Sequence, residues 1–356
     1  MSTLEQLGYY FDDKDVLRTI SDNEKFKFTT QEKYEELGQA VELEVYKLLK
    51  ERCGLVQIPL KPSGCPLPND EVGFIFATPD FFQKETVLIL MHGSGVVRAG
   101  QWARRLIINE NLESGTQMAY INRAIFNGWG VLVFNSNHNT YQNRDGGLSY
   151  LKYSENPVEH CIHAWQFLVY PCIAKKIHIV AHSRGGYDVS RMLERFHDDL
   201  RVTLVCLTDA PIFEYPEGNE AREKPLIAIN FLARGEIADK EYYIRPFKVN
   251  RVLELYAGTK QHESSSHTAL YAIFHILEKH MTPESYIQVM AECRQMVRPE
   301  MRARKKRDEE YRRMEKAKEL AAAAANAAAA AAAAAIPAVT EDSDDGPPDA
   351  KRQRVV

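Results

Sequence analysis

Ser183 lies in the stretch IHIVAHSRGGYD (residues 177–188), where a β-branched apolar run leads to a serine set among small residues and then to a segment able to start a helix. The pattern is small-x-Ser-x-small, with Ala181 and Gly185 in the small positions and Gly186 behind them. A serine at so sharp a strand-to-helix turn presents its hydroxyl outward, which is the arrangement of a nucleophile elbow. The elbow packs backbone closely, so a side chain larger than a methyl two residues from the serine would meet strand or helix. The competing reading is a Gly-Gly helix entry behind a buried strand, and the rest of the chain must choose.

A nucleophilic serine needs a base, a group that orients the base, and donors for an oxyanion. His262, in YAGTKQHESSSH, sits where hydrolases carry their histidine, between a last strand ending at Gly258 and a helix beginning near Ser264. His267 competes, but it falls inside that helix. For the acid, Asp209 ends the strand RVTLVCLTDA that follows the nucleophile helix, and Asp239 follows the next strand, with Glu236 as an outside choice. Either aspartate preserves the order Ser…Asp…His. Asp209 is preferred because LTDAP reads as a clean strand end, although an acid at a strand end is commonly a helix cap. Backbone N–H groups of Arg184 and of the turn MHGSG, at Gly93 or Ser94, supply the oxyanion donors.

The elements that must hold these residues alternate along the chain. An amphipathic helix is expected over 31–52, with Tyr34, Leu37, Val41, Val45 and Leu48 at helical spacing. A strand candidate follows in EVGFIFATP. From residue 85 come strand ETVLILMHG, helix 114–127, strand 129–135, helix 157–170, strand KIHIVAHS and helix 185–197, then strands RVTLVCLTDA, PLIAINFLA and 251–258, and helix 264–280. Near-continuous Val/Ile/Leu runs between helical patterns indicate strands buried on both faces, hence a mostly parallel sheet with helices either side. The fold class is α/β, in the order of an α/β-hydrolase.

Composition sets the outer bounds. The 356 residues carry 45% hydrophobic and 26% charged residues and a formal net charge of −4, which argues against a wholly basic nucleic-acid binder. The acidic N-terminus has no signal-peptide pattern, so no export is expected, and the six scattered cysteines suit free thiols in a reducing compartment. No apolar run approaches a membrane span of about 20 residues. EHCIH (159–163) places two histidines on a helix face with core-facing Val158, Ile162, Trp165 and Val169, so no metal is expected, and no other cofactor. Arg98, Arg104 and Arg105, beside Trp102, suit an anionic ligand or ion pairs with nearby acids. Expected organisation is a domain over 1–283, a charged exposed helix over 284–320, and a disordered alanine-rich, acidic/basic tail over 321–356. The cations Arg302, Arg304, Lys305, Lys306 and Arg307, and Lys351, Arg352 and Arg354, read as nuclear-import patches or a solvated helix face.

These residues together suggest a family. HGSGVVRAGQWARRLIINE (92–110), with YEELGQAVELEVYKLL upstream, AHSRGG and LTDA in the middle and AGTKQH downstream, resembles the Arb-two-like domain of argonaute-binding, cotranscriptional-regulator proteins over about residues 5–280. The resemblance implies an α/β-hydrolase-like domain in a nuclear protein tied to argonaute and small-RNA silencing, chromatin and alternative splicing, with a serine nucleophile carried over to Ser183. Arg184 and the tail depart from the family pattern. The expected partners are therefore argonaute and chromatin or splicing proteins and a small acyl substrate, with no membrane; direct nucleic-acid binding is a further option for the basic helix. The expected compartment is the nucleus, with the cytoplasm second. The rival reading is a soluble cytosolic serine hydrolase of the esterase type using Ser183, Asp209 and His262. Sequence alone leaves open whether the triad turns over, because a binding protein can be built on the same scaffold.

Overall fold

The computed structural model describes residues 2–234, 248–279 and 285–296. Residues Met1–Arg298 form one compact unit; the second, Pro299–Val356, lies outside the described residues, as do all the import-patch cations named above.

Among the described residues the main sheet has eight strands: β1 (Val56–Pro59), β2 (Phe74–Ala77), β3 (Thr86–Met91), β4 (Gly130–Val133), β5 (Lys176–His182), β6 (Val202–Thr208), β7 (Ile227–Leu232) and β8 (Leu253–Tyr256). Their order across the sheet is β1-β2-β4-β3-β5-β6-β7-β8. β2 runs antiparallel to both β1 and β4, and every other pairing is parallel. This is the expected α/β architecture with the hydrolase strand order. Two short hairpins, Tyr9–Phe11 with Leu17–Thr19 and Thr140–Gln142 with Leu148–Tyr150, stand apart from it.

The buried strands divide their side chains between two cores because successive residues point to opposite faces. Leu88 and Leu90 of β3, Val180 of β5 and Cys206 of β6 meet α1 (Gln31–Glu51), α4 (Met118–Phe126) and α7 (Ser265–Glu278) on one face. Val87, Ile89 and Met91, with Ile177, Ile179 and Ala181, meet α5 (Pro157–Ala164) and α6 (Gly185–Arg195) on the other. Each fully buried Leu, Ile or Val contributes about 1.5–3 kcal/mol. The continuous apolar runs in the sequence are the signature of this two-sided burial. In α1, Thr30 caps the first turn by accepting from the Lys33 N–H, and Leu37, Val41, Val45 and Leu48 are buried as their spacing requires.

Three segments differ from the sequence reading. The helix expected over 114–127 is interrupted: α3 (Leu112–Gly115) is capped by Asn111 and stops at Thr116, and α4 starts at Met118. Gly115 causes the break, since its carbonyl accepts from the N–H groups of Trp102 and Ala103, and a Cβ there would lie 2.5 Å from Ile107. The helix expected over 157–170 is α-helical only to Ala164 and closes with a π turn, Trp165–Val169. The helix expected to be exposed from 284 begins instead as α8 (Tyr286–Met296), with Tyr286, Val289, Met290 and Cys293 buried in the core shared with α7. Its apolar positions at i, i+3, i+4 and i+7 pack on the domain, so the folded unit runs past 283.

Candidate active site

The parallel register brings the chemistry to one edge. β5 and β6 pair up to His182↔Thr208, so the next residues, Ser183 and Asp209, emerge side by side at the C-terminal edge of the sheet. The Ser183 N–H donates to the Thr208 carbonyl at 3.0 Å. Both residues have positive φ, 53° at Ser183 and 48° at Asp209. L residues avoid this region at a cost of about 1–2 kcal/mol, so two adjacent instances at strand ends mark a site where the surrounding fold imposes the conformation.

Gly185 and Gly186 explain how Ser183 can be so placed. A Cβ at Gly185 would lie 2.7 Å from the His92 carbonyl oxygen, and one at Gly186 would lie 2.8 Å from the Ala210 Cβ. At Gly185 even a methyl is excluded, which is stricter than the limit read from the sequence. Gly93 faces the serine from the other side: a Cβ there would lie 3.0 Å from the Ser183 Cβ.

Asp209 is fixed through both carboxylate oxygens. Oδ1 accepts from the Ala233 N–H at 3.0 Å and Oδ2 from His262 Nδ1 at 2.6 Å, while the Asp209 N–H donates to Phe231. His262 opens the short 3₁₀ turn His262–Ser264 between β8 and α7, and its carbonyl accepts from the Ser265 hydroxyl at 2.8 Å. With Nδ1 committed to a carboxylate, Nε2 is the ring nitrogen left for chemistry. Among the described residues the Ser183 hydroxyl has no hydrogen-bond partner. The structure thus joins His262 to Asp209 and places Ser183 beside that pair without closing a bond to it. Asp239 and Glu236 lie outside the described residues. His267 is half-buried within α7.

A second imidazole belongs to this edge and was not singled out by the sequence. His182 is buried beneath His262, ring centroids 4.7 Å apart, and its Nδ1 donates to the Thr208 carbonyl at 2.9 Å. Burial, aided by the neighbouring His262, pushes its pKa down to about 4, so His182 stays neutral at physiological pH. Its place directly before the serine was the available signal.

The turn expected to supply oxyanion donors, at Gly93 and Ser94, follows β3. Among the described residues, no protein acceptor takes the N–H of Ser94 or of Arg184. His92 is fully buried, which lowers its pKa to about 4, and its Nδ1 donates to the Gly93 carbonyl at 2.8 Å. The Arg184 side chain turns away to stack on Tyr187, 4.8 Å from the ring centre, and to pair with Asp188 at 3.4 Å. Burial raises the Asp188 carboxyl to about 6 against the opposing pull of Arg184.

Arginines near the turn are engaged. Arg98 pairs with Glu42 at 3.8 Å, Arg105 with Glu263 at 3.2 Å, and Arg104 lies over the Tyr34 ring. Trp102 is buried in the core. In EHCIH, His160 accepts from the Asn135 N–H and shares a 2.9 Å contact with the Ser154 hydroxyl, and His163 bonds the Glu159 carbonyl. These two rings serve helix packing. No group of three potential metal ligands occurs among the described residues, and no described helix is long and apolar enough to cross a membrane. The six cysteines are free thiols.

Similarity to known proteins places the chain in a family. An Arb2 domain model matches residues 1–215. The FAM172 family protein homolog Y75B8A.31 of Caenorhabditis elegans is 52% identical over 83% of this chain and 93% of its own length. Cotranscriptional regulator ARB2A of Homo sapiens is 32% identical over 76% of this chain and 79% of its own. Among solved structures, a histone deacetylase from Saccharomyces cerevisiae aligns with 69% of this chain and 98% of its own, at 17% identity and a TM-score of 0.44. A naproxen esterase from Bacillus subtilis covers 51% of this chain and 57% of its own, at 11% identity and a TM-score of 0.27. The domain match over well over half of the chain, together with relatives of this identity and coverage, makes the protein a member of the Arb2 domain family.

Proposed function

We propose that this chain is a nuclear cotranscriptional regulator, acting with argonaute and with chromatin or splicing proteins, whose hydrolase-like domain retains a serine centre able to take an acyl group. The regulatory half of this reading is supported by the name cotranscriptional regulator borne by the relatives. The chemical half rests on one observation: Ser183 and Asp209 are both held at positive φ at adjacent strand ends while Asp209 grips His262 Nδ1 at 2.6 Å. A purely structural turn has no need of that combination.

In the proposed reaction His262 Nε2 takes the Ser183 hydroxyl proton as Oγ attacks the acyl carbon, forming a tetrahedral oxyanion that the Arg184 and Ser94 N–H groups receive. The bond to the leaving group breaks, the proton passes from Nε2 to that group, and Ser183 remains as an ester. Water then repeats the sequence and releases the acid. Asp209 stabilises the imidazolium throughout.

A fluorophosphonate probe on the full chain tests the chemical half. Labelling of the wild type that vanishes in Ser183→Ala is expected; an unlabelled, folded wild type would sink it. The open Ser183 hydroxyl favours a second reading, in which the domain is a binding platform without turnover, and the same unlabelled result would support that. Loss of nuclear accumulation on deleting residues 300–356 tests the regulatory half.

A further inference from the structure

The segment FNSNHN (134–139), directly after β4, is rich in asparagine, and its side chains reach back to the oxyanion turn. Asn137 Nδ2 donates to the carbonyls of Gly93 at 2.9 Å and Val97 at 3.1 Å. Two carbonyl acceptors settle the orientation of the amide, since only its nitrogen can donate. Asn135 Oδ1 accepts from the Ala99 N–H at 2.9 Å, and Asn135 is itself tied to Tyr46 of α1 and His160 of α5. The 93–99 turn is therefore clamped at three points from the segment that follows β4.

The contact at Gly93 matters most. The Gly93 carbonyl and the Ser94 N–H belong to one planar trans peptide and point in opposite directions. With the carbonyl held by Asn137 and by His92 Nδ1 at 2.8 Å, the peptide cannot rotate, and the Ser94 N–H is committed to the opposite side. Among the described residues that N–H has no protein acceptor, and its turn lies against Ser183. Two hydrogen bonds onto one carbonyl also polarise the peptide, making its N–H a stronger donor.

We propose that Asn137 is a positioning residue of the oxyanion hole, acting through the Gly93–Ser94 peptide rather than on substrate. This rests on the hydrolase reading of Ser183. It assigns the asparagine-rich turn a role that packing alone would not require, because a carbonyl at that place could equally have faced Ser183 and repelled a developing oxyanion.

The test compares four full-length proteins, wild type, Asn137→Ala, Asn137→Asp and Asn139→Ala, by the rate of fluorophosphonate labelling at Ser183 and by kcat and KM for 4-nitrophenyl acetate. Asn139 donates to the carbonyls of Ser136 in the same turn and of Ser154, and among the described residues its side chain makes no hydrogen bond to residues 93–99, so it controls for general loosening. Asn137→Ala is expected to slow labelling and kcat by about 10- to 100-fold with KM held, less than the roughly 10²- to 10³-fold that loss of an oxyanion donor itself costs, because the donor is loosened and not removed. Asn137→Asp, nearly isosteric and unable to donate, is expected to fall at least as far, and it stands in should the alanine variant not fold. Asn139→Ala is expected to lower the urea midpoint while labelling at the wild-type rate. Wild-type reactivity in both Asn137 variants, or equal loss in Asn139→Ala, would overturn the proposal while leaving the serine centre intact. An inert wild type would overturn both.

Discussion

The two edges of the main sheet handle polar groups in opposite ways. At the N-terminal edge, Arg201 sits before β6 with its guanidinium on Asp199 at 2.6 Å and 2.8 Å and on the carbonyls of Cys172 and Val169. Asp199 is nearly buried, and its own carbonyl accepts from Arg222. Around Asp199 and Arg201 the backbone stays in ordinary conformations, although Asn250, ahead of β8, has a φ of 64°. At the C-terminal edge, Ser183 and Asp209 sit at positive φ, a hydroxyl and two N–H groups lack partners among the described residues, and the His262 side chain is 46% exposed. Unspent hydrogen-bonding capacity alone does not separate the two, since Arg222 Nε beside Asp199 is buried without a partner among the described residues; at the C-terminal edge the open groups sit at Ser183 and Arg184, next to a backbone held at positive φ. The lesson is that a chemical cluster is marked by open polar groups joined to an imposed backbone conformation and partial exposure, whereas a structural one turns its charges on each other.

Mutations can break or sharpen that contrast. The largest effect is expected from His262→Ala and Asp209→Asn, which should slow Ser183 labelling by about 10³- to 10⁴-fold while leaving the urea midpoint close to wild type. Labelling within tenfold of wild type would dissolve the distinction between the edges. Arg201→Ala should do the reverse. It leaves the Asp199 carboxylate buried without its partner and should cost about 3 kcal/mol of unfolding free energy, with unchanged labelling per folded molecule.

Acid separates the edges next. His182 titrates near 4 in the folded chain and near 6.5 when unfolded, so between those values the unfolded state binds the extra proton and stability falls as the pH is lowered. Each such histidine steepens the loss by up to about 1.4 kcal/mol per pH unit. Urea titrations at pH 5 and 6 should therefore show a shallower loss in His182→Asn than in wild type; identical slopes would place the penalty elsewhere. The smallest effect concerns strain. Glycine tolerates the φ of 53° that alanine resists, so Ser183→Gly should be more stable than Ser183→Ala by about 1 kcal/mol. Equal midpoints would show the turn relaxing once the serine is gone.

Much of the architecture is legible along the chain because its cause is local and periodic. Runs such as VLILM and IHIVAH must be buried on both faces, and the helical spacing of Leu37, Val41, Val45 and Leu48 must bury one face. The elbow is legible for a similar reason, since Ala181, Gly185 and Gly186 answer to backbone crowding within a few residues of Ser183. Sequence order also narrowed the acid and base to a few positions.

What the sequence by itself determined is thus the class of fold, the strand that carries the serine and the edge on which its helpers emerge. Only tertiary structure decided that Asp209 meets His262, 53 positions away, that Arg105 is spent on Glu263, 158 positions away, and that Asn137 holds the turn at Gly93. It also decided that α8 packs on the domain. The physical reason is range: periodicity and turn chemistry act between near neighbours, whereas a side chain's partner depends on how separate strands and loops converge, and no pattern within either segment records the other.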